Sequence, residues 1–208
     1  MPKPTFLNLA EEKKQRIMDA AINEFVTYTF RDASINRIIA EVGIAKGSFY
    51  QYFENKKDLY KYVLSVSATM KLEYLTLEMA ESADKDFFKV MKGLYLVGVN
   101  FAKEHPNLSK IGKDIQSESD SKFKEEVLGE SIDMSNIFIE ELLKKGIREG
   151  DIDPNIDVKL IAHLITSFSI SLNEYYLSKC EDEQDVMILI DTLLAFIRDG
   201  IGIKRSDT

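Results

Sequence analysis

Apolar residues recur at helical spacing along almost the whole chain. The clearest stretch covers residues 34–53, where Ile35, Ile38 and Val42 share one helix face. Gly43 follows, and glycine readily adopts the left-handed conformation that ends a helix. A second apolar pattern begins shortly afterwards. The stretch therefore predicts two short helices joined by a tight turn.

The second short helix has two different faces. It begins near Lys46, and its Phe49 and Phe53 are four residues apart, so both point inward. Lys46, Tyr50 and Gln51 fall on the opposite side and face out. A helix that buries its phenylalanines and exposes Lys, Ser, Tyr and Gln suits the major groove of DNA. We therefore predict a helix-turn-helix that binds duplex DNA.

The same periodicity predicts about nine helices and an all-α protein. Residues 1–9 are predicted as a short arm, because Pro2 and Pro4 interrupt helix formation. Gly129 marks a potential break within the seventh helix. The predicted helices cover about residues 9–28, 34–42, 46–53, 56–79, 86–104, 108–117, 122–149, 156–178 and 184–199.

The last two predicted helices are the most apolar, and the final one carries apolar residues nearly all round. A helix of that kind is covered on two sides. One side can face its own domain and the other a second copy of the chain. The alternative is a helix that is simply central in one monomer.

Composition limits the class of protein. The chain has 208 residues, with 45% hydrophobic and 30% charged residues, as in a soluble globular protein. Its net charge of −8 argues against a generally basic nucleic-acid coat protein. Residues 1–62 carry 10 Lys/Arg and 8 Asp/Glu, whereas the remainder carries 17 and 27. This asymmetry fits DNA contact by the N-terminal region alone, although so small an excess can also arise by chance.

Cysteine usage and hydropathy point to the cytoplasm. Cys180 is the single cysteine, which excludes an internal disulfide framework and fits a reducing compartment. The first residues lack the apolar core of a signal peptide, and no run approaches the roughly 20 apolar residues of a membrane span. We predict a cytoplasmic protein without a membrane partner.

The sequence offers no support for an enzyme. His105, His163 and Cys180 do not have the spacing of a zinc site, and no GxGxxG, P-loop or GxSxG motif occurs. We therefore expect no catalytic residues, no metal and no cofactor. A helical protein-interaction adaptor without DNA binding is the remaining alternative, but it leaves Lys46, Tyr50 and Lys56 without a role.

The segments AAINEF and SINRIIAEVGIAKGSFYQYFENKKDLY resemble the N-terminal domain of TetR-family transcriptional regulators of bacteria, and AKGSFYQYFENKKDL is the most specific part. The resemblance covers about residues 12–64. It implies a three-helix DNA-binding domain at residues 1–55 and a larger helical effector-binding and dimerisation domain at 56–208. It also implies a homodimer that pairs through its last two helices and binds a palindromic operator. A small lipophilic effector would release the operator, and repression is the family's usual mode.

The resemblance also implies the DNA-contacting residues. Tyr50 and Lys56 would contact phosphate, and Lys46 would reach phosphate or a guanine edge. Ser48 and Gln51 would read base edges, with Gln51 suited to adenine, unless they only face solvent. Two positions depart from the family: Ala45 replaces a capping Ser or Thr, which costs about 0.5–2 kcal/mol, and Thr29 replaces a Gly. The full set is Ser34, Arg37, Lys46, Gly47, Ser48, Tyr50, Gln51 and Lys56.

Apolar and aromatic residues downstream of the DNA-binding region could line an effector pocket. The alternative for each is ordinary core packing. An apolar pocket would suit a lipophilic compound. The candidates are Tyr62, Met70, Tyr74, Phe88, Met91, Tyr95, Phe101, Phe138, Phe168 and Tyr175.

Overall fold

The computed structural model describes residues 1–80, 86–172, 180 and 182–203. Ten helices and no strand occur within these ranges, so the all-α prediction is confirmed. Tyr175 and the predicted helix end near residue 178 lie outside the described residues. The helices are α1 (Pro4–Leu7), α2 (Glu11–Thr27), α3 (Ile35–Val42), α4 (Lys46–Tyr52), α5 (Lys56–Ala80), α6 (Phe87–Glu104), α7 (Pro106–Gln116), α8 (Ser121–Glu149), α9 (Val158–Ser171) and α10 (Glu183–Ile201).

The prediction of a non-helical N-terminal arm was wrong, and α1 raises the helix number from nine to ten. Pro4 occupies the first position of α1. At that position the missing N–H has no intrahelical partner to lose, and the fixed φ of proline already suits a helix. Pro4 therefore starts the short helix rather than preventing it.

The helix boundaries follow local chemistry. Gly43 ends α3 with a φ of 74°, as its type predicts. The side chain of Asn55 accepts a hydrogen bond from the amide of Asp58 at 2.9 Å and so caps α5. Gly129 does not interrupt α8. Thr29 does not adopt a left-handed conformation, because within the described residues only glycines have a positive φ. Tyr28, which follows α2, is extended, and the hydroxyl of Thr29 donates to the carboxylate of Asp32.

The chain packs into two compact units. The first contains Met1–Leu72 and Phe101–Ile115, and the second contains Glu73–Asn100 and Gln116–Thr208. The predicted domain boundary at residue 55 separates a DNA-binding region from an effector-binding and dimerisation region. It describes binding roles rather than packing, and it stays a prediction.

An aromatic core holds the first unit together. Phe25 contacts Tyr60 edge-on at 4.8 Å, and Phe53 contacts Phe6 at 4.8 Å. The hydroxyl of Tyr60 donates to the carbonyl oxygen of Ile111 at 3.4 Å, which connects α5 with α7. The helices that carry the candidate DNA contacts are therefore anchored on a rigid apolar base.

The second unit has its own hydrophobic core, built from α6, α8, α9 and α10. Phe87 and Leu143 are among its buried members. The carboxylate of Asp151 accepts from the amide of Phe87 at 3.0 Å and satisfies one open donor at the start of α6. Ile203 donates to the carbonyl of Asp151 at 3.2 Å, so the chain following α10 is tied to the turn after α8.

Gly146 lies at a closely packed point of this core. A Cβ atom there would lie 2.8 Å from Cγ1 of Ile152 and 3.2 Å from Cβ of Phe87. We expect Gly146→Ala to lower the free energy of unfolding by about 1 kcal/mol net, because overpacking outweighs the helix propensity of alanine. Urea unfolding followed by circular dichroism would measure the change.

Gly129 provides the matched control within the same helix. A Cβ atom there would meet only Cγ of Glu125, at 3.8 Å. Gly129→Ala should therefore raise the free energy of unfolding by about 0.5–1 kcal/mol. Equal stabilisation by both substitutions would contradict the close packing at Gly146.

Candidate nucleic-acid interface

Helix α4 exposes one polar face above a buried apolar face. Phe49, Tyr52 and Phe53 are buried at 6% exposure or less, and they attach the helix to the core of the first unit. Tyr50 is 43% exposed, and its ring packs edge-on against Phe49 at 5.3 Å. The backbone thus holds the outer side chains at fixed angles around the helix.

The predicted base-reading and phosphate-binding residues of α4 lie on this face. Lys46, Gly47 and Gln51 are exposed, and Ser48 is half-buried. No atom lies within 4 Å of a Cβ built on Gly47, so the backbone is open at this point. The helix therefore offers a cation, hydroxyl groups and an amide to a groove, while their contact with DNA stays a prediction.

Ser34 precedes α3, but its hydroxyl makes no capping hydrogen bond. Its amide instead donates to Oε1 of Glu24 at 2.6 Å. A carboxylate from α2 therefore occupies the backbone donor that a phosphate would use. Whether Ser34 contacts DNA stays a prediction.

Arg37 is held against the protein. Its guanidinium donates to the carboxylate of Glu24 through Nη2 at 2.6 Å and to the carbonyl of Asp32 at 2.8 Å. The group also stacks over the ring of Tyr28 at 3.9 Å. The hydrogen bond with Glu24 raises the pKa of Arg37. Arg37 therefore joins α2 and α3, and any contact with DNA would add to these bonds.

Lys56 is likewise engaged within the first unit. Its Nζ donates to the carbonyl oxygens of Ala33 at 2.7 Å and Arg31 at 3.0 Å, and it lies over the ring of Phe30 at 4.8 Å. Burial lowers the pKa of Lys56. Two of its three N–H groups stabilise the turn before α3, which leaves one for a phosphate oxygen.

Two features that support this surface were not predicted from the sequence. Glu24 is 6% exposed and connects Ser34 with Arg37. The sequence did contain a signal for this role, because Glu24 is a carboxylate on the inner, otherwise apolar face of α2. The second element is the N-terminal segment, where Lys3 and Thr5 donate to carbonyl oxygens of α4. Nothing in the local sequence indicates that contact.

The candidate effector residues do not form one group. Tyr62 belongs to the aromatic core of the first unit, 5.3 Å from Phe6, and Met70 lines a surface cleft of about 610 Å³ beside Met18. Phe101 is fully buried. In the second unit, core or core-contacting positions are held by Phe88, Met91, Tyr95 and Phe138.

Two further candidates in the second unit lie outside that core group. Tyr74 is half-buried. Phe168 is 38% exposed and contacts Phe196 at 6.3 Å, so it lies on an outer face rather than in an enclosed cavity.

Comparison with known proteins identifies the family that the chain resembles. Residues 17–63 match the model for bacterial regulatory proteins of the tetR family. The uncharacterized HTH-type transcriptional regulator YdgC of Bacillus subtilis is 27% identical over 169 residues, which cover 80% of this chain and 82% of YdgC. A TetR-family regulator from Chloroflexus aurantiacus superimposes with a TM-score of 0.68 at 26% identity, covering 98% of this chain and 100% of that one. These matches make the chain similar to TetR-family regulators along its length.

Other solved structures share the same fold. The transcriptional regulator FadR from Bacillus subtilis, solved in complex with stearoyl-CoA, matches with a TM-score of 0.71 at 18% identity, covering 90% of this chain and 98% of FadR. The relatives are transcriptional regulators, not enzymes, and this chain is a DNA-binding transcriptional regulator. Within the described ranges, none of its helices is long and apolar enough to cross a lipid bilayer.

Proposed function

We propose that this regulator is a repressor that binds a palindromic operator as a homodimer and is released by a small lipophilic effector. The observation that carries the proposal is the polar outer face of α4, held above a buried aromatic core. Lys46, Ser48, Tyr50 and Gln51 make the direct DNA contacts. Ser34, Arg37 and Lys56 mainly hold α3 and its preceding turn in place, because their polar groups already have partners within the protein.

A second exposed surface supports the homodimer. The α9–α10 face consists of Leu160, Leu164, Phe168, Ile188 and Phe196, all of which are exposed. Phe196 is 67% exposed and contacts Phe168, so the two helices present one continuous apolar surface. Surfaces of this kind favour association with another protein, and a second copy offers an identical face across a two-fold axis.

The dimer matters because one α4 contacts few base pairs. Two copies related by a two-fold axis would place two such helices in successive major grooves, roughly 34 Å apart. The operator would then repeat its sequence in inverted orientation. We therefore connect the apolar face of α9 and α10 with the sequence specificity of α4.

The effector proposal gains support from Lys71 on α5. Its ammonium lies 4.9 Å from the ring centre of the buried Phe101, and no carboxylate within the described part of the chain pairs with it. Burial lowers the pKa of Lys71. A lipophilic effector with an acidic end group would supply the missing counter-charge. FadR, which shares the fold, binds stearoyl-CoA, an acyl chain with an anionic head.

Single substitutions on α4 test the DNA contacts. Tyr50→Phe removes only a hydroxyl, so it should weaken binding to all sequences by a similar factor of about 5, whereas Gln51→Ala should change the preference between sites. Fluorescence anisotropy with duplexes from the intergenic region upstream of the gene would measure both. A protein-interaction adaptor, the alternative function, would show no salt-sensitive binding to any of these duplexes.

Phe196→Asp tests the homodimer. A carboxylate in the centre of an apolar interface would remain unpaired in both copies, so we expect the dimer dissociation constant to rise at least ~100-fold. Sedimentation velocity over a range of concentrations would detect the monomer. Met134→Asp, at a position on α8 that is 68% exposed, is the matched control and should leave association unchanged. A monomeric wild-type protein would refute the proposal.

Lys71→Met tests the charge of the effector. We expect the affinity for decanoate to fall about 10-fold, because an ionic contact is lost, while the affinity for decanol stays within about 2-fold. Isothermal titration calorimetry would measure both. Lys61→Met makes the same change elsewhere on α5 and serves as the control. Equal losses for the acid and the alcohol would contradict the role of Lys71.

A further inference from the structure

Helix α4 lacks support at its N-terminus. It contains only 7 residues, and Ala45 at the capping position provides no side-chain hydrogen bond. Short helices are marginal in water, because few backbone bonds offset the loss of conformational entropy. Yet this helix must hold its outer side chains at fixed angles to read a groove. Its order therefore depends on contacts elsewhere.

The C-terminus of α4 is fully bonded. The last four carbonyl groups of a helix have no partner within it. In α4 the first of them, at Phe49, accepts from the amide of Phe53 at 2.9 Å. The remaining three, at residues 50–52, all accept from the N-terminal segment of the chain. No backbone acceptor at this helix end is left open.

Two residues make these three bonds. The Nζ of Lys3 donates to the carbonyl oxygen of Tyr50 at 2.8 Å. The backbone amide of Lys3 donates to the carbonyl oxygen of Tyr52, also at 2.8 Å. The hydroxyl of Thr5 donates to the carbonyl of Gln51. The ammonium of Lys3 also lies at the negative end of the helix dipole, where a cation is favourable.

Phe6 fixes this segment in position. Its side chain is 0% exposed, with its ring centre 4.8 Å from that of Phe53 and 5.3 Å from that of Tyr62. Such aromatic pairs add to the burial of apolar surface. Lys3 and Thr5 are therefore held by a core contact, and they in turn hold α4.

We propose that Lys3 and Thr5 are positioning residues for operator binding, acting on α4 through its backbone rather than by touching DNA. The proposal rests on the DNA-binding role of α4. The bonded carbonyls belong to residues 50–52, and the side chains of Tyr50 and Gln51 face the groove from the same segment. Loss of the bonds would let this last turn fray. Binding to DNA would then have to order the turn, and this free-energy cost would weaken the affinity for DNA.

The test uses the double substitution Lys3→Met/Thr5→Val, which keeps side-chain size and leaves Phe6 in place. Hydrogen exchange of the free protein should show amides 50–53 exchanging about 10-fold faster, with α2 amides unchanged. Affinity for the upstream intergenic duplex should fall about 10-fold, while the dependence of log Kd on log salt keeps its slope. Lys3→Arg/Thr5→Ser keeps the donors and should restore both values.

Lys110→Met is the charge-matched control, because Lys110 is exposed on α7 and pairs with Asp114 of the same helix. Unchanged exchange of amides 50–53 in the double variant would overturn the positioning role. A reduced salt slope with unchanged exchange would likewise overturn it, since Lys3 would then be a phosphate contact. If the wild-type protein binds no duplex, the proposed DNA-binding function fails, whatever the exchange rates are.

Discussion

The first unit depends on one constraint: the backbone N–H and C=O groups at the ends of a short helix find no hydrogen-bond partners within that helix. α3 has 8 residues and α4 has 7, so a large share of their backbone groups lack intrahelical partners. The structure supplies partners from outside. The carboxylate of Glu24 accepts a hydrogen bond from the amide that precedes α3, and Lys56 donates to carbonyl oxygens of the turn before α3. The N-terminal segment donates to the carbonyl oxygens at the end of α4. The geometry of the helix-turn-helix follows from these external bonds.

This constraint changes the roles of the basic residues near the interface. Arg37 and Lys56 are cations that the resemblance assigns to DNA contact, yet each has hydrogen-bond partners within the protein. Lys46 is exposed and lies at the start of α4. The side chains that support the interface are thus distinct from those that we propose contact DNA.

Much of the fold could be predicted because its signals are local. Apolar spacing located α3 and α4, and the chemistry of Gly43 marked the end of α3. The polar face of α4 followed from the same spacing. Contacts between distant residues leave no such periodic signal. The bond between Lys3 and residue 50 and the pairing of Glu24 with Arg37 were therefore missed, and Pro4 was misread as a helix breaker.

The bonds at the end of α4 have an evolutionary consequence. They are made to carbonyl oxygens, which every amino acid possesses, and not to the side chains of Tyr50 and Gln51. Mutation at these two positions would leave the anchoring atoms in place. A lineage could then exchange Gln51, which we propose reads a base edge, while inheriting the scaffold unchanged, so that divergence of the recognised sequence does not require rebuilding the fold.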